Sequence, residues 1–369
     1  MSTVYLGVRP EALDGAKLAK LLLSYPHISF HVILPHPSMD YWLSLSEETC
    51  NSLLQAYRDF IPPMVNHESI SLYCFTNSEW LIANPANYED DFLTTREISD
   101  YIMFHTGSHF PYYISDADPN SVTAYIDALA GLIAHNRTNA TVYPDLSGWN
   151  IVFFGDSVIG NYTGSLSIPG VTGALTGAKV YNMGYGGTCM TKTPEEKRAM
   201  TDIATAFVQQ KPDLLPVASQ AYLGMQEYFE DAPTGQLCIV INYGLNDYFS
   251  GRPMESDDPY DIYTFKGATR TSVKMLQEAH PDAYILLNTP NFTSYFENGT
   301  EPHFESYIMV DYVNALKELA AELNIALLDN YNELGITAEN IRTYSDDGCH
   351  PNEVGRFAIG QRVALKLGE

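Results

Sequence analysis

Ile151-Val152-Phe153-Phe154-Gly155-Asp156-Ser157 is the stretch on which the reading of this chain turns. Four apolar residues in a row, closed by Gly-Asp-Ser, are the pattern of a buried strand that ends in a tight turn. An open α/β sheet presents its ligand site outside the carboxyl ends of its strands, so Ser157 is expected at the reactive edge of a sheet. Taken alone, the turn has a second reading, because Asp and Ser are also favoured helix caps.

Outward from this strand, short apolar runs alternate with longer segments of helical period, as in a parallel sheet covered by helices. Strands are expected at Asn150 to Phe154, Ala178 to Asn182, Leu237 to Asn242, Ala283 to Leu287 and Ile325 to Leu328. Helices are expected at Pro194 to Gln210, Ala268 to Ala279 and Tyr307 to Leu323, with a last one at Asn352 to Leu367 following Pro351. Five such strands fit a flavodoxin-like α/β/α sandwich with a five-stranded parallel sheet.

A nucleophilic serine needs a base within hydrogen-bond reach, and the base needs a carboxylate to orient it. Asp346-Asp347-Gly348-Cys349-His350-Pro351-Asn352 places Asp347 three residues before His350, so one loop can present both. Two other histidines of this half are less apt. His280 precedes Pro281 at a helix end, and His303 lies in a polar loop.

Acyl transfer also needs donors aimed at the oxyanion. Val180-Tyr181-Asn182-Met183-Gly184-Tyr185-Gly186-Gly187-Thr188 offers backbone N–H groups that its glycines leave accessible, and Ile241-Asn242-Tyr243-Gly244-Leu245-Asn246-Asp247 offers the neutral amide of Asn246. Each of these, read singly, also suits an ordinary turn.

Together, in this order, the four blocks resemble the SGNH (GDSL-type) serine hydrolase family over residues 150–369. The resemblance implies Ser157 as nucleophile and Asp347 with His350 as the rest of a catalytic triad. It also implies an oxyanion hole made of the Ser157 N–H, the Gly187 N–H and the Asn246 side chain. Gly187 is chosen by its spacing from Asn182, with Gly184 as the alternative. No cofactor or metal is implied.

The expected organisation is an accessory domain at 1–147 and a catalytic domain at 148–369, joined through the polar segment 136–148. The first part also reads as mixed α/β. Strands are expected at Val4 to Val8, Ile28 to Leu34 and Ile70 to Phe75, and helices at Glu47 to Phe60 and Val122 to His135. From Leu21 to His135 it faintly resembles the C-terminal half of a second SGNH-like domain. There Asp90 is followed three residues on by Leu93 instead of a histidine, which implies a copy that has lost its base. The open edges of such a half-sheet are expected to find a partner surface, either the catalytic domain or a second subunit in a homodimer. His36, His105 and His109 show no ligand spacing and are read as core or surface residues.

Composition narrows the partners. Of 369 residues, 20 are Lys or Arg and 45 are Asp or Glu, a formal charge of -25. The excess is spread along the chain, which argues against nucleic acid and anionic membranes and favours a neutral small-molecule or oligosaccharide ester. Five cysteines without paired spacing predict neither a disulfide framework nor a metal site. Residues 1–9 lack the pattern of a secretory signal and no apolar run has transmembrane length, so a cytoplasmic location is expected. The stretch Tyr243 to Tyr263, with Tyr248, Phe249, Tyr260 and Tyr263, has rings suited to stacking on sugars or, equally, to ordinary packing.

The expected reaction is therefore hydrolysis of short acyl esters, acetyl on carbohydrate first, through an acyl-enzyme. An acyltransferase and a lysophospholipase-like lipase are alternatives on the same triad. A scaffold or binding protein is the alternative that is not an enzyme.

Overall fold

The computed structural model describes residues 2–65, 67–76, 78–90, 92–105, 119–139, 141–194, 198–302 and 307–369. His109, His303 and part of the expected helix from Pro194 lie outside them, as does the side chain of His105. The chain forms two compact units, Met1–Val142 and Tyr143–Glu369.

The first unit holds a parallel sheet of three strands in the order β1 (Ser2–Gly7), β2 (Ile28–Ile33), β3 (Ile70–Tyr73). Val32, Leu72, Trp42, Phe60 and Phe75 are buried around it. Helix Glu47–Phe60 starts where Ser46 accepts the Thr49 N–H, and helix Pro119–Thr138 is longer at both ends than its apolar stretch announces. The strands run in register from Ser2 opposite Ile28 and from Phe30 opposite Ile70.

The second unit is built on β4 (Trp149–Gly155), β5 (Lys179–Gly184), β6 (Gln236–Asn242), β7 (Tyr284–Asn288) and β8 (Ala326–Leu328), all parallel, in the order β5-β4-β6-β7-β8. It is an α/β fold with helices around a five-stranded parallel sheet, as the sequence pattern predicts. Ile151, Val152, Phe153 and Phe154 of β4, an interior strand, are fully buried. A strand flanked by two others and covered on both faces has no side for polar residues, which is why its sequence is a solid apolar run. Burial of side chains of this kind stabilises by roughly 1.5–3 kcal/mol each.

The strand order also explains the position of Ser157. From β4 the chain crosses to β5 on one side and from β6 it crosses to β7 on the other, so the connections diverge between the carboxyl ends of β4 and β6. That divergence opens a crevice, and the residue just beyond Gly155 and Asp156 stands in it.

The division falls between Val142 and Tyr143, inside the polar segment 136–148 and five residues before the boundary at 147. The reason is local. Gln361 donates to the Tyr143 hydroxyl at 2.8 Å, the Leu146 N–H donates to the Thr176 carbonyl, and Leu146 is buried in the core of the second unit.

Candidate active site

Ser157 opens a one-turn helix, Ser157–Gly160, whose start is capped by Asp156 accepting the Val158 N–H at 2.9 Å. As the first helical residue, Ser157 has an N–H without an intrahelical acceptor. Asn182, from β5, holds the turn from the side: its Nδ2 donates to the carbonyls of Ile159 and Tyr162, both at 2.9 Å.

The structure brings Ser157, His350 and Asp347 together across 193 residues of sequence. The Ser157 Oγ lies 3.0 Å from His350 Nε2, and His350 Nδ1 lies 2.7 Å from Asp347 Oδ2. Burial opposes ionisation of Asp347, but the His350 ring, the N–H groups of Cys349 and His350 and the Ser345 hydroxyl together bring its carboxyl down to about 2. An ionised carboxylate only accepts, so Nδ1 carries the proton and Nε2 is left to accept from the serine hydroxyl. Asp347 and His350 are each partly open to solvent.

The loop that carries them is pinned from behind. The Gly348 carbonyl accepts from the Ser294 N–H at 2.8 Å and from the Thr293 hydroxyl at 3.1 Å. Gly348 has φ +83°, and a Cβ there would lie 1.9 Å from the Ser294 hydroxyl, so a side chain is excluded by both conformation and space. Past His350, the buried Arg356 donates to the carbonyls of Pro351 and Leu166, tying the start of the last helix to the segment that follows Ser157.

On the other flank, Asn246 donates through Nδ2 to the Thr188 carbonyl at 2.9 Å. A primary amide has two N–H bonds, so this contact fixes the group and leaves its second donor unspent. Beside it Asp247, fully buried, accepts the Met190 N–H, the Thr191 N–H and the Thr191 hydroxyl at 2.8, 2.9 and 2.5 Å, which moors the glycine segment to the Asn246 turn.

Of the two glycines weighed as backbone donors, Gly184 is engaged elsewhere. Its N–H donates to Asn182 Oδ1 at 2.9 Å, and a Cβ on it would lie 2.4 Å from the Gly160 nitrogen, a close approach of two backbones. Gly186 lies against Ser157, with its Cβ position 3.8 Å from the serine Cβ, and Gly187 is the exposed residue that follows.

Behind the serine, burial pushes Asp156 up to about 7, with Val158 opposing, Asp247 adding to the rise and His350 opposing it. Burial likewise raises Asp247, against its bonds to Thr191 and Met190. Cys349 is buried beside His350 and pushed up to about 12, first by burial and then by Asp347, so it is a neutral packing residue at ordinary pH. Among the described residues no group of three or more His, Cys, Asp or Glu side chains is gathered as a metal would require. Among them, too, no helix is long and apolar enough to cross a membrane.

Sequence reasoning gave no role to Asp247, Asn182 or Arg356. Asp247 was within reach, as a carboxylate next to Asn246 at a strand end. A lone arginine in a helix and an asparagine in a strand carry no such signal.

A serine at the divergence point of a parallel α/β sheet, hydrogen-bonded to a histidine that a carboxylate orients, is the arrangement that serine-dependent acyl hydrolases use. The model of the GDSL-like lipase/acylhydrolase family matches residues 153–356, more than half of the chain, and the protein belongs to that family. No curated protein matches it. Among solved structures it is similar to a protein from Lactobacillus plantarum, at 20% identity over 60% of this chain and 95% of that one, with a TM-score of 0.45. It is also similar to Est24, a carbohydrate acetylesterase from Sinorhizobium meliloti, at 16% identity over 59% and 98% of the two chains, with a TM-score of 0.40. The native aryl esterase of M. smegmatis is similar at 16% identity over 59% and 98%, with a TM-score of 0.40.

Proposed function

We propose that the protein is a serine esterase that hydrolyses short acyl esters, acetyl esters of carbohydrate first among them, in the unit Tyr143–Glu369. The observation that carries this reading is the unbroken chain of hydrogen bonds from Ser157 Oγ through His350 to Asp347.

In this mechanism the Ser157 oxygen attacks the ester carbonyl as His350 Nε2 takes its proton. Asp347 keeps the ring in the required tautomer and stabilises the imidazolium that forms. The oxyanion rests on the Ser157 N–H, the Gly187 N–H and the second N–H of Asn246. His350 then returns the proton to the leaving alcohol, and water, deprotonated by the same nitrogen, releases the acyl group. No step calls for a metal or an organic cofactor. The unit Met1–Val142 is assigned no part in the chemistry: Asp90 accepts the N–H groups of Phe92 and Leu93 as Asp347 accepts those of Cys349 and His350, but Leu93 stands where the base would be.

The test is hydrolysis of p-nitrophenyl acetate, butyrate and octanoate by the wild type and by Ser157→Ala. The expected result is turnover that falls with acyl length and disappears in the variant. Turnover that survives in Ser157→Ala would overturn the assignment, and acyl transfer to an added alcohol in place of water would move it to a transferase.

A further inference from the structure

Two aromatic residues from opposite flanks of the site meet. Phe249 lies three positions after Asn246 in the helix Leu245–Phe249, and so on the same face as the amide. Tyr295 follows Ser294, whose N–H is bonded to the Gly348 carbonyl in the loop of Asp347 and His350. Their ring centroids are 5.4 Å apart at an interplanar angle of 33°.

Tyr295 is held there by an unusual piece of backbone. Phe296, Glu297 and Asn298 have φ of +50°, +48° and +60°, and Gly299 follows at +79°, a single left-handed turn. Side chains with a Cβ disfavour this conformation, so it persists only where the surroundings impose it. They do so here through the Phe296 ring, which packs on Tyr248 and Phe249 with centroids 5.7 and 5.8 Å away, and through the Tyr248 hydroxyl, which donates to the Glu301 carbonyl at 2.6 Å. With Tyr248 itself buried, the turn is anchored in the core while Tyr295 stays 41% exposed.

The side of the site follows from the chemistry. The leaving oxygen must receive its proton from His350, so the alcohol portion of the ester lies on the His350 flank, where Tyr295 is fixed. Phe249 packs at a tilt against the Tyr295 ring, and the rest of the ring is open to solvent and within the field of the Asp347 carboxylate. An aryl group would gain little from a half-wet surface. A pyranose offers an apolar C–H face to the ring and keeps its hydroxyls in water.

We propose that Tyr295, braced by Phe249 and by the left-handed turn, is the platform on which the alcohol portion of the substrate stacks, and that this portion is a pyranose ring. The proposal rests on the esterase reading above and adds the residue that sets its preference.

The experiment compares kcat/KM for monoacetylated methyl β-D-xylopyranoside and for ethyl acetate in the wild type, Tyr295→Ala and Tyr295→Phe. The expected result is a pyranoside preference that falls roughly five- to tenfold in Tyr295→Ala, mainly through KM, and returns in Tyr295→Phe, which keeps the ring. A preference unchanged in Tyr295→Ala would overturn the platform. Binding of methyl β-D-xylopyranoside to the Ser157→Ala protein, followed by ligand line broadening, separates the two readings. Binding that is lost on adding Tyr295→Ala supports the platform even if the esterase reading fails, and absence of binding overturns it even if that reading holds.

Discussion

The two units each keep a histidine in a loop and treat it in opposite ways. His350 has a carboxylate on one ring nitrogen and a hydroxyl on the other, and the ring is half in water. His36, beyond the end of β2, has both ring nitrogens shut away from solvent, and its ring meets Phe75 at a steep angle, with centroids 5.9 Å apart. Burial pushes it down to about 4, opposed only by Leu34. A histidine moves protons when both of its charge states are supported. One that is sealed in apolar packing is kept neutral and serves the fold.

That contrast is open to direct attack. The largest expected effect is Ser157→Ala, which should lower kcat by roughly 10⁵-fold or more, leaving only what binding and oxyanion donors provide. Asp347→Asn should cost about 10⁴-fold, because the amide would turn an N–H toward Nδ1 and leave His350 in the wrong tautomer. Steady-state kinetics with p-nitrophenyl acetate, with circular dichroism to show that both variants fold, checks these two. A drop below tenfold in either would break the contrast at its catalytic end.

Asn246→Ala should lower kcat by about 10²- to 10³-fold with KM little changed, since the donor is used only as the oxyanion forms. A change confined to KM would instead make Asn246 a ground-state contact.

Asp156→Asn separates the acid behind the serine from those that react. The folded pKa lies above the unfolded one, so the stability the neutral carboxyl contributes is full below about 3.8 and declines as pH rises toward about 7. Asparagine keeps the acceptor for Val158 and cannot ionise. At pH 8 the variant should gain at least ~1 kcal/mol, or 2–4 °C in Tm, and at pH 4 it should gain much less. Thermal melts at the two pH values decide it.

The smallest effect on activity belongs to His36→Leu, expected to stay within about twofold of the wild type. Its signature is in stability. As pH falls from about 6.5 to about 4 the unfolded chain takes up a proton that folded His36 refuses, so the wild-type unit loses stability across that window. The variant should lose less. Trp42 and Trp80 are both buried in this unit, and with Trp149 of the second unit replaced by Phe their fluorescence in urea titrations at pH 7 and 4.5 reports its unfolding. An activity loss of tenfold in His36→Leu would show that the first unit reaches the chemistry.

Much of the catalytic unit was legible because its signals are local. A strand covered on both faces is a run such as Ile151 to Phe154, and all five strands lie within two residues of where the apolar runs put them. Helix ends were read less well. Of the expected helix Pro194 to Gln210 the described residues form Met200–Val208, and the last helix starts one residue later than expected, at Glu353, because Asn352 spends its side chain on the Gly355 N–H. The division lies within the polar segment 136–148, and within that segment only the structure shows that Leu146 belongs to the core of the second unit.

The sequence by itself determined the class of fold and marked out the four blocks to which the proposed chemistry is assigned, since each is a matter of a few adjacent residues. The tertiary structure alone decided the order of the strands and the engagement of Gly184 with Asn182. It alone showed the mooring of the glycine segment by Asp247, the tie from Arg356 to Leu166 and the meeting of Phe249 with Tyr295. The physical reason is the same in each case. A strand or a turn is fixed by neighbours along the chain, whereas a hydrogen bond to a carbonyl 190 residues away exists only once the sheet has brought both ends to one edge.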